Sequence, residues 1–217
     1  MKAEANSKPK HACRNPRQSR ERILESALKE FAAKGFAGAR VDCIARQARI
    51  NKRMLYHYFG DKEGLFREVL RRKMAERAAW LASAPEDPIE RLPYWFDLAF
   101  RDRDWIRLLE WESLQWGEDR IIDEEHRTRA FANANDRIRR LQEKGRLDSD
   151  FNSGQLILSM MALTAYPLAF PQLARLATGL AVSDPKFKHQ YEKFLRQFAA
   201  AFKPGNKNSN AGGKTVK

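Results

Sequence analysis

Lys52 and Arg53 stand together at the start of a short apolar-periodic segment, and Tyr56, His57 and Tyr58 follow within it. Cationic donors beside polar-tipped rings suit a polyanion that also presents flat, hydrogen-bonding edges. Lysine or arginine can donate to guanine O6 and N7, tyrosine can pack on a thymine methyl or reach a phosphate, and histidine can meet a phosphate oxygen. Asp61 and Lys62 open the next segment, where the free N–H groups of a helix start and the Lys62 charge suit a further phosphate. Each cation taken alone is an ordinary solvated side chain. The spacing of the group is what points to nucleic acid.

Residues that would carry catalysis are missing from the pattern. There is no GxGxxG or P-loop glycine run, no GxSxG elbow and no HExxH pair, and the four histidines are scattered at 11, 57, 126 and 189. Cys13 and Cys43 stand alone and read as ordinary thiols, not as a disulfide framework or a zinc ribbon. Asp123, Glu124 and Glu125 suit the positive end of a helix better than acid–base chemistry. The expectation is therefore a non-enzyme with no metal and no cofactor.

The elements that position the cations are helical. Ser19 can cap a first helix carrying Ile23, Leu24, Ala27, Leu28 and Phe31 at three- and four-residue spacing, with Gly35 at its end. A second follows at about 41 to 48 with Val41, Ile44, Ala45 and Ala48 inward. A third starts after Asn51, a good cap, and a fourth opens at Asp61 and runs towards Trp80. On a helical wheel of roughly 100° per residue, Lys52, Arg53, Tyr56 and His57 fall on one arc of the third helix, and Met54, Leu55, Tyr58 and Phe59 on the other. A short helix, a turn and a second helix that leads with cations is how a helix-turn-helix enters the major groove.

Charge agrees. The chain carries a net +13, distributed as +5 over residues 1–20, +6 over 21–78, −2 over 79–202 and +4 over 203–217. The excess sits beside the helix-turn-helix and at the far end, which is the footprint of a polyanion partner.

Residues 19 to 70 resemble the DNA-binding head of the TetR/AcrR family of transcriptional regulators. The resemblance rests on Gly35 and Phe36, then Ile44, Ala45, Ala48, Asn51, Lys52, Leu55 to Phe59, Lys62, Glu63, Leu65 and Phe66. It implies a homodimeric, ligand-responsive repressor that binds an inverted-repeat operator in double-stranded DNA, with a divergent C-terminal helical domain for a small-molecule effector. It also implies that Lys52 and Arg53 read bases while Arg40, Tyr56, His57, Tyr58 and Lys62 touch phosphate. Two departures stand out. Arg49 occupies a turn where the family often has glycine, at a cost of about 1 kcal/mol if the backbone there is left-handed. Arg40 precedes the second helix where a capping Thr or Ser is common; it can supply a phosphate contact but not the cap.

Beyond residue 80 the sequence describes architecture. Ala84 to Pro88 is a break, and Pro88 suits the first turn of a helix with Leu92, Trp95, Phe96, Ala99 and Phe100. Asp104 can cap another, a charged helix spans about 121 to 144, and Phe187, Tyr191, Phe194, Phe198 and Phe202 mark the last. The apolar run 156–171 is shorter than the roughly 20 residues a membrane span needs and holds Pro167 and Pro171. A helix apolar all round is instead buried on several sides, and no membrane partner is expected. By the family resemblance, 155–171 and 185–202 close the dimer. Trp95, Phe96, Trp105, Trp111, Met160 and Tyr166 are the candidates for lining an effector cavity, although aromatics at helical spacing are more often core. They favour a largely apolar effector, with Arg103, Arg107, Glu110 and Glu112 as possible polar anchors.

The expected organisation is all-α: a flexible basic arm at 1–18, a three-helix DNA-binding head at 19–66, an effector-binding and dimerisation bundle at 67–202, and a flexible basic tail at 203–217. The first 22 residues hold no apolar leader run, so the expected compartment is the cytoplasm. The rival reading is a charge-driven binder of DNA or membrane surfaces without a preferred site.

Overall fold

A computed structural model describes residues 16–201, and every regular element among them is a helix. The expected all-α class holds. Cys13, His11, Phe202 and the two terminal segments lie outside the described residues. The chain divides into two compact units, one up to Arg72 and one from Lys73 onward.

The first unit contains α1 (Pro16–Gly38), α2 (Val41–Gln47), α3 (Lys52–Phe59) and the opening turns of α4 (Lys62–Ala82). Because α1 already begins at Pro16, residues 16 to 18 are helical and do not belong to an arm, and Ser19 is a buried interior residue in place of a cap. Gly35 does end the regular helix: its φ of 69° leaves the helical region, which glycine tolerates without a Cβ clash. The core is built from Ile23, Ala27 and Phe31 of α1, Ile44 of α2, Leu55 of α3, and Leu65 and Phe66 of α4, all with no exposed surface. The Phe31 and Phe66 rings meet edge to face with centroids 5.0 Å apart. Each such side chain contributes roughly 1.5–3 kcal/mol on burial. On the outside, Arg20 pairs with Glu68 and Arg72 with Glu21, tying α1 to α4.

The second unit holds the rest of α4 with α5 (Pro88–Arg101), α6 (Arg103–Trp116), α7 (Glu124–Glu143), α8 (Ser153–Ala169), α9 (Pro171–Thr178) and α10 (Pro185–Ala200). Aspartate or asparagine starts three of these: Asp87 accepts from the Ile89 N–H, Asn152 from Gln155 and Asp184 from Lys186. Asp104 does not cap α6; it lies in the first turn, one residue inside. One core cluster joins Leu92 and Phe96 of α5 to Phe187, Leu195 and Ala199 of α10, and a second joins Ile138 and Leu141 of α7 to Leu147 and Leu156. Lys73 and Asp102 form a buried ion pair at 2.8 Å.

The apolar run at 156–171 is less buried than its composition implies. Only Leu156, Thr164 and Pro167 of α8 are buried within this chain, while Leu158 is 67% exposed and Met161 and Tyr166 also face outward. The run ends at Phe170, where Pro171 starts α9 at 91° to α8. Among the described residues no single helix is long and apolar enough to cross a membrane.

Candidate nucleic-acid interface

The start of α2 is held by a residue ten positions upstream. Arg40, its N-terminal flanking residue, makes no side-chain cap, as the sequence leads one to expect. The Glu30 carboxylate, 4% exposed, accepts instead from the Arg40 backbone N–H at 3.2 Å and from the Lys34 ammonium at 2.8 Å. Burial alone would raise the Glu30 carboxyl, but the Lys34 and Arg40 donors outweigh it and hold the group below the ordinary glutamate range. A negative charge is thereby fixed at the positive end of α2.

The turn between α2 and α3 uses arginine where glycine is easiest. Arg49 has φ 54°, its N–H bonds the Arg46 carbonyl at 3.1 Å, and the next N–H, of Ile50, reaches back to Ala45 at 3.0 Å. That pair of bonds is the left-handed helix ending that satisfies orphan carbonyls. Asn51 then caps α3, its Oδ1 accepting the Arg53 N–H at 2.9 Å.

On α3, Leu55 and Phe59 are buried and Lys52, Arg53, Tyr56 and His57 are exposed, as the wheel divides them. Tyr58 is half-buried. Met54 departs from the expectation: it lies on the apolar arc yet is 38% exposed, because the arc that packs inward is narrow and centred on Leu55 and Phe59. Arg40 is exposed as well. The Lys62 ammonium donates to the Ala37 carbonyl at 3.3 Å and sits 4.9 Å from the Phe36 ring centre, and its partial burial lowers its pKa. This lysine fastens the head of α4 to the end of α1. Gly64 is required at the same junction, since a Cβ there would lie 2.1 Å from the Phe59 carbonyl oxygen.

Lys52 carries a contact that the sequence reading missed. Its Nζ lies 2.8 Å from Asp42 Oδ1 in the first turn of α2, and 6.0 Å from the Tyr56 ring centre. The shared hydrogen bond pushes the lysine pKa up and the aspartate pKa down. The available signal was that Asp42 is the sole acid between Glu30 and Asp61.

In the second unit an apolar cavity of about 30 Å³ is lined by Arg91, Leu92, Leu141, Leu156, Met160 and Phe198, among others. Of the six aromatic and methionine candidates, Met160 lines it. Phe96 is fully buried in the α5–α10 core, Trp95 packs edge-on against Tyr94, Trp105 lies under the Arg77 guanidinium at 5.5 Å, and Trp111 and Tyr166 are exposed. Glu112 is no free anchor, because both its oxygens bind Arg127 and one also accepts the Ile122 N–H. Arg91 donates through Nε to the Pro85 carbonyl at 2.8 Å, and burial lowers its pKa, with Arg137 adding repulsion. Among the described residues no cluster of three His, Cys, Asp or Glu could hold a metal ion.

Comparison with known proteins fits this geometry. Residues 23–69 match the family model described as bacterial regulatory proteins, tetR family, and residues 93–199 match a tetracyclin repressor-like C-terminal domain. The chain is 33% identical over 168 residues to the HTH-type transcriptional repressor SCO4008 of Streptomyces coelicolor, covering 77% of this chain and 88% of that one. It is 36% identical over 107 residues to the HTH-type transcriptional repressor NicS of Pseudomonas putida, covering 46% and 50%. Among solved structures, the candidate transcriptional regulator SCO4942 of Streptomyces coelicolor superimposes with a TM-score of 0.67 at 28% identity, over 83% of this chain and 97% of that one.

Proposed function

This chain belongs to the tetR family of bacterial regulatory proteins and is a DNA-binding transcriptional regulator, not an enzyme; from that premise we propose that it acts in the cytoplasm as a ligand-responsive dimeric repressor on an inverted-repeat operator. The observation that carries the reading is α3 itself: Leu55 and Phe59 fix it inward, Asn51 caps it, and Lys52, Arg53, Tyr56 and His57 are left exposed. Lys52 and Arg53, in its first turn, read base edges. Arg40, Tyr56, His57 and Lys62 meet phosphates, and Tyr58 does so from its half-buried position.

The dimer forms through α8 and α10. The outward Leu158, Met161 and Tyr166 of α8 and Phe194 of α10 form an apolar surface that a second copy would cover. The effector enters the α5–α7–α8 cavity, which at about 30 Å³ holds little more than one water and must open to admit it. Its body is largely apolar, and Arg91 supplies the polar contact. The two basic termini add sequence-independent attraction.

Selection of bound fragments from random DNA tests the reading. Arg53→Ala is expected to relax preference at one or two positions per half-site, at about 1–3 kcal/mol of discrimination each. An unchanged sequence preference would contradict the base-reading assignment.

A further inference from the structure

Asp42 and Lys52 present an acceptor and a donor 2.8 Å apart on the surface from which α3 reads DNA. Both side chains are about half exposed, at 59% and 47%. The other acids of the head with described partners bind residues of its own helices: Glu30 is buried under α2, Asp61 caps α4 through the Gly64 N–H, Glu63 pairs with Arg67 one turn along α4, and Glu21 and Glu68 bind the arginines of α4 and α1. Asp42 instead holds a residue that the proposed function assigns to base reading, and a role for Asp42 in specificity rests on that assignment.

We propose that Asp42 is a specificity-determining residue, which with Lys52 reads one base pair whose major-groove edge sets an acceptor beside a donor, as G·C does, and penalises DNA that offers only phosphate. One reason is electrostatic. Sequence-independent affinity comes from cations neutralising phosphates. A lysine already neutralised by a carboxylate contributes little to it, and the carboxylate itself repels the backbone. Operator-free DNA therefore gains nothing from Lys52 unless the pair is broken.

The second reason is geometric. In the major groove a G·C pair exposes the guanine O6 acceptor beside the cytosine N4 donor. Those two atoms are joined by a hydrogen bond of about 2.9 Å, the ordinary N–H···O length. The Lys52 Nζ and Asp42 Oδ1, 2.8 Å apart, match that spacing with opposite polarity. The ammonium donates to O6 while the carboxylate accepts from N4, and the ion pair stays intact. Adenine offers the same polarity on one base, N7 accepting beside N6 donating, so the pair suits an edge that sets an acceptor under Lys52 and a donor under Asp42 and rejects the reverse order.

The test uses the full chain and its Asp42→Asn, Asp42→Glu and Lys52→Ala variants, with binding measured to a selected operator and to operator-free DNA of equal length over a range of salt. Asp42→Asn is expected to bind operator-free DNA several-fold more tightly, with a salt slope steeper by about one unit. Its operator-to-non-operator ratio is expected to fall by roughly 5- to 100-fold, with relaxed preference at the same base pair that Lys52→Ala relaxes. Asp42→Glu keeps the charge at the start of α2 and is expected to retain the low operator-free affinity, which separates an electrostatic role from a loss of helix structure. An unchanged ratio in Asp42→Asn, or equal weakening on both DNAs, overturns the inference. If Lys52→Ala leaves base preference intact, the base-reading assignment fails and this inference falls with it. If Lys52→Ala relaxes preference and Asp42→Asn does not, only this inference is lost.

Discussion

The Tyr191 hydroxyl donates to the Leu163 carbonyl oxygen at 2.9 Å, joining α10 to α8. Four residues after Leu163 stands Pro167, which has no N–H, so the Leu163 carbonyl lacks its helical donor. The tyrosine supplies it, and burial raises the Tyr191 pKa, which keeps the hydroxyl protonated. Tyr191→Phe is expected to cost about 1–2 kcal/mol in urea unfolding. In a Pro167→Ala background, where the helix regains its own donor, the same change is expected to cost clearly less. Equal costs in the two backgrounds would contradict this role for the tyrosine.

Arg49 carries a backbone penalty at φ 54° that glycine would avoid. Arg49→Gly is expected to stabilise the protein by up to about 1 kcal/mol, a gain set against glycine's larger unfolded-state entropy. Thermal melts read this. A simultaneous loss of DNA affinity with a shallower salt slope would show that the arginine also meets a phosphate.

Glu30 links acid stability to the start of α2. Its carboxyl is held below the ordinary glutamate value in the folded chain, so its contribution is complete at neutral pH. That contribution fades as pH falls from about 4.3 through the lower folded value. Glu30→Gln, which loses the Lys34 pair, is expected to be less stable by about 1–2 kcal/mol at pH 7. The deficit is expected to shrink below about pH 4. A pH-independent deficit in denaturant titrations would place the effect elsewhere.

Leu158, 67% exposed on α8, is the outermost large apolar side chain of that helix. Leu158→Glu is expected to shift sedimentation from dimer to monomer and to weaken operator binding, with the helical content unchanged. A dimer that survives this change and Met161→Glu would move the interface away from α8.

The head was legible in the sequence because its signals are local. Asn51, the cations after it and the alternation around Leu55 and Phe59 lie within nine residues, and the structure keeps them as read. The left-handed turn at Arg49 was legible only through the family resemblance, in which glycine is common at that turn. What escaped was set by distant partners. Ser19 looks like a cap until Pro16 extends the helix past it, and Glu30 reaches α2 across ten residues. In the second unit, helical spacing places Phe96, Trp111 and Tyr166 on apolar stripes but does not say which stripe faces core, cavity or surface. The outward side of α8 is likewise apolar without a covering element among the described residues.

The most direct test of sequence-specific regulation by the proposed dimer is a footprint of the purified protein, near physiological salt, on the DNA flanking its own gene. Protection of one short inverted repeat is expected, with the two half-sites about a helical turn apart or a multiple of it, and that protection is expected to be lost in Arg53→Ala. Diffuse protection that disappears with added salt and is indifferent to Arg53 would contradict the assignment of α3 as the reader of an operator.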